Sequence, residues 1–325
     1  MRAMQVAKLG GIDRLEQVAV PTPEPGRRQV RVAVSAAGVN FADLLMIAGQ
    51  YQVAPELPFS PGFEAAGIVE AVGEDVTRFA VGSRVVATPW FGAYAEHVVV
   101  DESACEPLPD DLAFETAAAL PVAFGTALHA LRNRGALQPG ETLLVTGATG
   151  GTGSAAVRLG KLMGARVIAA VGSADKVPLA EAMGADTVVV YGGATRLRDL
   201  LRSATGDAGI DVAFDPVGGD LTEEALRAAA WGGRILVVGF ASGAIPQIPA
   251  NLPLLKGASV VGVFWGRWRT LHPAAAHDQF AELTGWVATG RLDPGISVRY
   301  PLEAAGEALR AVAERKVAGK VVLTI

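Results

Sequence analysis

The stretch that decides the fold is Leu143-Leu-Val-Thr146 followed by Gly147-Ala-Thr-Gly-Gly-Thr-Gly153. An apolar strand here runs directly into a glycine-rich turn, and the turn leads into a helix predicted over residues 154–163. Glycines let a backbone turn tightly and approach a pyrophosphate, whose charge is then held by the amides at the start of the helix. Within the turn, Gly151-Thr-Gly153-Ser-Ala-Ala156 matches the dinucleotide-binding spacing in its variant that ends in alanine. The sequence therefore predicts a phosphate-binding strand, turn and helix.

Further apolar runs follow the turn, separated by amphipathic stretches that end at glycine or proline. This alternation is typical of strands joined by helical crossovers. The runs are almost continuously apolar, as in Ile235-Leu-Val-Val238, so we expect both faces of a parallel sheet to be buried. They predict an α/β fold with a Rossmann-type, doubly wound parallel sheet. The six predicted strands cover residues 142–146, 166–171, 187–191, 210–215, 234–240 and 259–265.

The first hundred residues predict a compact, mostly antiparallel β domain, because short β-rich runs alternate there with glycine and proline. A helical stretch at residues 114–133 leads from this domain toward the parallel sheet and is interrupted at Pro121, where a helix breaks or kinks. We place the first domain boundary at that proline. The predicted strands of this region cover residues 29–34, 67–72, 84–88 and 94–100.

The last sixty residues predict two more helices and two more strands, and the residues alone leave open whether these elements return to the first domain. They cover residues 273–288 (helix), 296–300 (strand), 303–316 (helix) and 320–325 (strand). The predicted domains are a first segment at residues 1–121, a nucleotide-binding domain at 122–265 and a closing segment at 266–325.

Composition excludes several classes of protein. Half of the 325 residues are hydrophobic, yet no run of about twenty apolar residues is present that would span a bilayer. The start of the chain alternates apolar and polar residues, which predicts a strand and not a signal peptide. Cys105 is the single cysteine and excludes an intramolecular disulfide, and the net charge of -5 argues against nucleic acid as a partner. We therefore expect a cytoplasmic protein that binds small molecules and no membrane.

The end of the second predicted strand indicates which dinucleotide is bound. Enzymes that use NAD place an acidic residue there for the ribose hydroxyls, whereas this strand ends at Gly172-Ser173-Ala-Asp-Lys176. Ser173 and Lys176 supply a hydroxyl and a cation for an adenosine phosphate, which favours NADPH. Asp175 is interpreted as a residue of the first helical turn in preference to a ribose ligand.

Several motifs are distributed over the whole chain besides the glycine-rich turn. They are Pro21-Thr-Pro-Glu-Pro-Gly26, Gly38-Val-Asn-Phe-Ala-Asp43, Gly49-Gln-Tyr51, Pro61-Gly-Phe-Glu-Ala-Ala-Gly67, Asp215-Pro-Val-Gly-Gly219 and Gly319-Lys-Val-Val-Leu323. With these motifs and the turn, the chain resembles the zinc-independent quinone oxidoreductases of the medium-chain dehydrogenase/reductase superfamily. That resemblance implies a discontinuous, β-rich, GroES-like catalytic domain, NADPH in the cleft between the domains, and a homodimer joined through the last strand of the nucleotide-binding sheet, near residues 259–265. It also implies that Lys176, Tyr191 and Lys320 surround the adenosine phosphate.

The resemblance also implies a set of residues that contact the cofactor. Two positions of the turn depart from the family pattern, because Thr152 stands where relatives usually have valine and Gly147 where many have alanine. Neither change removes a backbone amide, so we expect cofactor binding to persist. The implied cofactor-binding residues are Asn40, Thr126, Gly150, Gly151, Thr152, Gly153, Ser173, Lys176, Tyr191, Gly239, Phe240, Ser242, Phe264 and Lys320.

Zinc-dependent cousins place a cysteine near Asn40 and a histidine near Phe63, and this chain has neither ligand, so no catalytic metal is expected. Hydrogen-bond donors must then hold the negative charge that hydride transfer leaves on a substrate oxygen. The predicted catalytic residues are Asn40, as a donor, and Tyr51, as a proton donor or an orienting group. Asp43 and Glu64 match family positions, and two interpretations stay open for them: a role at the active site, or a structural role as hydrogen-bonding carboxylates. Neither is assigned as a general base.

Three functions agree with these features. The first is NADPH-dependent reduction of a quinone or a related α,β-unsaturated carbonyl compound. The second is reduction of an enoyl thioester, with Tyr51 protonating the carbon next to the thioester carbonyl. The third is a non-catalytic, NADPH-binding role.

Overall fold

Fifteen strands form three sheets in the computed structural model of the chain, which describes residues 1–325. In chain order the strands are β1 (Arg2–Val6), β2 (Leu15–Ala19), β3 (Gln29–Val39), β4 (Ala65–Val72), β5 (Arg84–Ala87), β6 (His97–Asp101), β7 (Cys105–Pro107), β8 (Thr142–Thr146), β9 (Arg166–Val171), β10 (Thr187–Val190), β11 (Ile210–Asp215), β12 (Ala229–Val237), β13 (Ser259–Gly262), β14 (Ile296–Pro301) and β15 (Lys320–Thr324).

Eleven α-helices accompany the strands, and none of them has the length and apolar character needed to cross a membrane. They are α1 (Phe41–Ile47), α2 (Phe114–Ala118), α3 (Thr126–Leu128), α4 (Gly151–Leu162), α5 (Val177–Ala182), α6 (Leu197–Thr205), α7 (Asp220–Arg227), α8 (Asn251–Lys256), α9 (Trp265–Leu271), α10 (Pro273–Ala288) and α11 (Ala305–Ala313). Two π-helical segments, Pro121–Gly125 and His129–Arg134, flank α3. The helical stretch predicted at residues 114–133 is therefore divided, and its first break lies at Pro121.

The chain divides into two compact units, of which the first comprises residues 1–123 and 273–325 and the second residues 124–272. The boundaries predicted after residues 121 and 265 thus fall slightly early. The later second boundary has a physical reason, because α9 packs within the second unit. A Cβ atom at Gly125 would lie 2.6 Å from the Trp265 indole, and the rings of His129 and Trp268 stack with their centroids 4.4 Å apart.

The second unit contains the predicted Rossmann-type sheet, with all six strands parallel in the order β10-β9-β8-β11-β12-β13. The chain starts at β8 in the centre and winds outward in both directions, which is the doubly wound topology. Three strand predictions extended too far, since β10 ends at Val190, β12 at Val237 and β13 at Gly262; β12 also begins before its predicted start, at Ala229. The apolar pattern continues past the pairing, since Phe240 lies in a loop with 36% of its surface exposed and Trp265 begins α9.

The glycine-rich turn joins β8 to α4 through a close approach of backbone to backbone. Gly147 leaves the strand with a φ of +56°, in the left-handed region that glycine tolerates. Gly150 is the N-cap of α4, which begins three residues before the predicted start because the glycine run itself forms the first helical turn. A Cβ atom at Gly153 would lie 2.2 Å from the carbonyl oxygen of Gly147. The absence of a side chain at Gly153 thus allows α4 to pack directly on the turn.

Strand β3 is the centre of the first unit, where it pairs antiparallel with β4, β6 and β15. The main sheet has the order β14-β15-β3-β4-β5-β7, with β6 also on β3, while β1 and β2 form a separate antiparallel pair. Val321 of β15 lies opposite Val39 at the end of β3. The last strand of the chain is therefore built into the same sheet as the first hundred residues.

Replacing Gly153 tests the close approach of α4 to the turn. We expect Gly153→Ala to lower the free energy of unfolding by about 1–3 kcal/mol, because the added methyl group meets a backbone oxygen that cannot rotate away. Gly285 provides a matched control, since it also lies inside a helix and has nothing within 4 Å of its Cβ position. Gly285→Ala should raise the stability by about 0.5–1 kcal/mol. Urea denaturation measures both, and equal stabilities would contradict the packing argument.

Candidate active site

Asn40 lies at the junction of β3 and α1, in an extended conformation that ends the strand and precedes the helix. The carboxylate of Asp43 caps this junction, because its Oδ2 atom accepts a hydrogen bond of 2.8 Å from the backbone amide of Asn40. The other carboxylate oxygen accepts from the backbone amide of Gly62 at 3.1 Å, and the Tyr94 hydroxyl donates to Oδ2 at 2.8 Å. Asp43 thus joins the start of α1 to two other segments of the first unit.

The side-chain amide of Asn40 is held between two buried charges. Lys320 donates from Nζ to Oδ1 of Asn40 at 2.9 Å, and Nδ2 of Asn40 donates to Oε1 of Glu64 at 2.8 Å. Lys320 and Glu64 also contact each other directly, with Nζ 2.7 Å from Oε1. Both charged side chains are almost wholly buried, with 1% and 0% of their surface exposed. The oxygen and one N–H of the Asn40 amide are therefore paired with buried charged groups.

The prediction that Lys320 contacts an adenosine phosphate is contradicted by this cluster. Its ammonium group has three hydrogens, and three acceptors surround it: the carbonyl oxygen of Val39 at 3.4 Å, Asn40 Oδ1 and Glu64 Oε1. Because the group is buried against its own unit, it is not available to a phosphate. Glu64, whose second oxygen accepts from the amide of Val122 at 2.7 Å, has the structural hydrogen bonds that the sequence left open.

Burial changes the acid–base properties of this cluster. Loss of solvent raises the pKa of Asp43 from 3.8 to about 7, and the nearby charge of Glu64 adds to the rise. The hydrogen bonds from Tyr94 and Asn40 and the charge of Lys320 oppose it. Burial and the neighbouring Asp43 also raise the pKa of Tyr94 well above its usual value. Tyr94 was not among the residues that the sequence identified, since no motif marks it.

Tyr51 lies in the same unit, half-buried against the aromatic ring of Phe63. The two rings meet edge to face, with their centroids 5.0 Å apart and an angle of 67° between their planes. Phe63 is itself buried in the apolar core of the first unit. At the position where zinc-dependent cousins are expected to have a histidine, the chain therefore has a ring that packs against Tyr51.

The second unit contains the features of a phosphate site at the start of α4. The first amides of a helix have no partner within the helix and carry its positive end. A Cβ atom at Gly150 would meet only the Gly147 carbonyl oxygen, at 3.4 Å, so a side chain there would fill the space in front of these amides. The absence of side chains at Gly150 and Gly151, together with helix amides that lack partners within the helix, fits the pyrophosphate of a dinucleotide.

The next two strand ends bring together residues predicted to bind the adenosine phosphate. Ser173 precedes the short 3-10 helix Ala174–Lys176, and its hydroxyl lowers the pKa of Asp175 by a hydrogen bond. Asp175 therefore lies in the first helical turn. A Cβ atom at Gly172 would be 3.5 Å from the hydroxyl of Tyr191, which follows β10. The Tyr191 hydroxyl thus lies beside Gly172, the residue before Ser173, at the carboxyl ends of β9 and β10, and Lys176 ends the short helix.

The loops after β11 and β12 lie at the same carboxyl-terminal edge of the parallel sheet as the ends of β9 and β10. Asp215 holds the first loop, because it accepts hydrogen bonds from the hydroxyls of Thr146 and Thr222, both at 2.6 Å, and from the amides of Val217 and Gly218. The Ser242 hydroxyl would lie 3.2 Å from a Cβ atom at Gly219, so the two loops are in contact. The remaining residues predicted to contact the cofactor in this unit are Gly239 and Phe240 after β12, Thr126 at the start of α3 and Phe264 before α9.

A cavity of about 750 Å³ in the first unit includes none of the predicted site residues. Arg78, Arg84, Glu106 and His277 contribute its charged and titratable side chains. These groups largely pair with one another or with the backbone, as Glu106 does with both Arg78 and His277. The cavity is therefore separate from the cluster around Asn40.

Comparisons with known proteins agree with this architecture. A family model described as "Alcohol dehydrogenase GroES-like domain" matches residues 26–110, and one described as "Zinc-binding dehydrogenase" matches residues 151–282. The cattle protein named quinone oxidoreductase-like protein 2 is 42% identical over 94% of this chain and 87% of its own length. The quinone oxidoreductase of Escherichia coli, solved with NADPH, is 29% identical with a TM-score of 0.93, and each chain is covered completely. A mycobacterial protein, also solved with NADPH, is 32% identical with a TM-score of 0.94 over both full chains.

These matches cover both units and nearly the entire sequence. The chain belongs to the zinc-independent quinone oxidoreductase-like family of the medium-chain dehydrogenase/reductase superfamily, a family of oxidoreductases.

The raised pKa of Asp43 predicts a pH dependence of stability. A carboxyl group whose pKa is higher in the folded than in the unfolded chain contributes most below its unfolded pKa, and the contribution is lost as the pH rises through the folded value. We expect the free energy of unfolding of the wild type to fall, relative to that of Asp43→Asn, by about 4 kcal/mol between pH 3.8 and about 7.

Denaturation curves at several pH values measure this difference. Tyr94→Phe serves as a second variant, because it removes a hydrogen bond that lowers the pKa of Asp43 and should extend the fall to higher pH. A difference that is constant with pH, or that rises with pH, would contradict the assignment.

Proposed function

We propose that this protein is an NADPH-dependent reductase that transfers a hydride to a quinone or an α,β-unsaturated carbonyl compound without a catalytic metal. The observation that carries the proposal is the glycine-rich turn at the start of α4, with Ser173 and Lys176 in place of an acid after β9. The two NADPH-bound structures with the same fold support the choice of cofactor. The naming of relatives as quinone oxidoreductases supports the class of substrate.

In this proposal the second unit binds the pyrophosphate of the cofactor with backbone amides and its adenosine phosphate with side chains. The first amides of α4 hold the pyrophosphate, and Gly153 keeps that helix close to the turn. Lys176 and the hydroxyls of Ser173 and Tyr191 bind the adenosine phosphate. When bound, NADPH supplies the hydride.

The first unit supplies the hydrogen-bond donor for the substrate. One N–H of the Asn40 amide donates to Glu64. The nitrogen Nδ2 lies 3.5 Å from the carbonyl oxygen of Gly38, which leaves the second N–H with only a weak hydrogen bond. We assign this second N–H to the substrate oxygen on which negative charge develops. Tyr51 is proposed to deliver the proton that completes the reduction.

We also propose that the protein forms a homodimer through β13, the edge strand of the parallel sheet. An unpaired edge strand presents free backbone groups that pair readily with a second copy. Large apolar side chains near this edge support the proposal, since Trp231, Leu254 and Val260 have 82%, 76% and 41% of their surface exposed.

The activity is tested by following the loss of NADPH absorbance with a panel of acceptors. We expect turnover with quinones or simple enones, and slower turnover with enoyl-CoA thioesters. Turnover with enoyl-CoA alone would replace the proposal by thioester reduction. Tight binding of NADPH without turnover of any acceptor would indicate a non-catalytic role.

The assignment of Lys176 predicts a selective loss of cofactor affinity. Lys176→Ala should weaken the binding of NADPH by about 10- to 100-fold, because a hydrogen bond to a charged group is lost, and should leave NADH binding nearly unchanged. Lys161→Ala is the control, since that lysine is a partly exposed residue of the same unit that pairs with Asp186. Fluorescence titration measures both affinities, and equal losses for the two cofactors would contradict the role of Lys176.

A further inference from the structure

We propose that Lys320 is a positioning residue that, together with Glu64, fixes the orientation of the Asn40 side chain so that its NH2 group is presented to the substrate. The inference rests on the proposed function, in which Asn40 is the donor to the substrate oxygen. It replaces the role at the adenosine phosphate that the structure contradicts for Lys320.

The charges around Asn40 allow one orientation of its amide. In the observed orientation, the oxygen accepts from the ammonium of Lys320 and the nitrogen donates to the carboxylate of Glu64. Rotation by 180° would place the NH2 group against the ammonium, where two donors meet, and the oxygen against the carboxylate, where two acceptors meet. A side-chain amide without charged neighbours has no such restriction. The ion pair therefore holds the second N–H in a fixed direction.

The contact with Lys320 also makes the amide a better donor. The positively charged ammonium of Lys320 donates to the amide oxygen and thereby draws electron density from the amide nitrogen. Hydrogen bonds in series strengthen one another in this way. The effect is large here because all three groups are buried, with Asn40 at 8% and its two partners at 0–1% exposure. A donor that is oriented before the substrate arrives needs no reorganisation during the reaction.

The geometry distinguishes this role from a general contribution to stability. The three hydrogens of the ammonium match the three acceptors around it, one of which is the Asn40 amide oxygen itself. An ion pair that served only to stabilise the fold would need Glu64 as a partner but not Asn40. Removal of both charges together then separates the two roles, because a buried pair replaced by two neutral groups is tolerated far better than a single buried charge.

The first experiment compares Lys320→Met with Lys316→Met in the wild-type background. Lys316 is the matched control, since it pairs with Glu314 on the exposed surface of the same unit. We expect Lys320→Met to lower kcat for quinone reduction by about 10- to 100-fold, as loss of an oriented donor does, with the preference for NADPH over NADH unchanged. Lys316→Met should have wild-type kcat. A loss of the NADPH preference in Lys320→Met would overturn the proposal in favour of a phosphate contact.

The second experiment uses the double variant Glu64→Gln, Lys320→Met, which contains no unpaired buried charge. We expect it to regain most of the thermal stability that Lys320→Met loses, while its kcat stays low. Recovery of kcat together with stability would overturn the proposal, because it would show that the pair acts on the fold alone. This variant also keeps the test decisive if Lys320→Met fails to fold.

A third measurement does not depend on turnover. The side-chain N–H resonances of Asn40, assigned by their loss in Asn40→Asp, report the hydrogen bonds of the amide directly. In Lys320→Met, or in the double variant, we expect them to shift and to exchange faster with solvent, whereas Lys316→Met should leave them in place. Unchanged resonances would overturn the positioning role. Absence of quinone turnover in the wild type would instead refute only the proposed function.

Discussion

The first unit depends on the contact between a buried ammonium and a buried carboxylate, Lys320 and Glu64. Neither charge is stable alone in a core, since removing an ion from water costs several kcal/mol unless a partner compensates. Lys320 begins the last strand of the chain, Glu64 immediately precedes β4, and Asn40 follows β3. These three strands are neighbours in one sheet, so the pairing of the charges and the pairing of the strands require each other. Incorrect register at either place would leave a charge unpaired.

The second unit depends on a different constraint, the distance between two backbones. Gly153 and Gly147 approach so closely that any side chain at Gly153 would overlap a carbonyl oxygen, and α4 starts its first turn inside the glycine run for that reason. The same lack of side chains leaves space in front of the first helical amides. Asp215 maintains the neighbouring loop by four hydrogen bonds, two from hydroxyls and two from amides. Packing and phosphate recognition are thus consequences of one backbone geometry.

The sequence predicted the parallel sheet well because each strand is marked by an apolar run within a short stretch of the chain. Continuous apolar runs identified all six strands, although some of the predicted ends were wrong. β12 begins at Ala229, before its predicted start, and Phe240 and Trp265 extend the apolar pattern beyond the pairing of β12 and β13. Motifs identified Asn40, Asp43, Glu64 and Lys320, but the contacts among them were not predicted, and no motif marked Tyr94. Tyr94 and Lys320 are 51 and 280 residues from the groups they contact, and nothing in either local sequence indicates a buried partner. The resemblance placed Lys320 at the phosphate, whereas its position in β15, next to the end of β3, directs its ammonium to Asn40.

Stabilising negative charge on a substrate oxygen requires donors that are already oriented, and orientation has a cost that must be met during folding. Here the cost is visible in the burial of Asp43, Glu64 and Lys320 around one asparagine amide. Asp43 fixes the backbone of Asn40 at the start of α1, and the ion pair fixes its side chain. The raised pKa of Asp43 shows that burial opposes its charge even with three donors around the carboxylate. In a purely structural core, apolar residues would pack without this free-energy cost of burying charged groups. The cost is explained if the function of the cluster is to maintain the direction of the Asn40 amide.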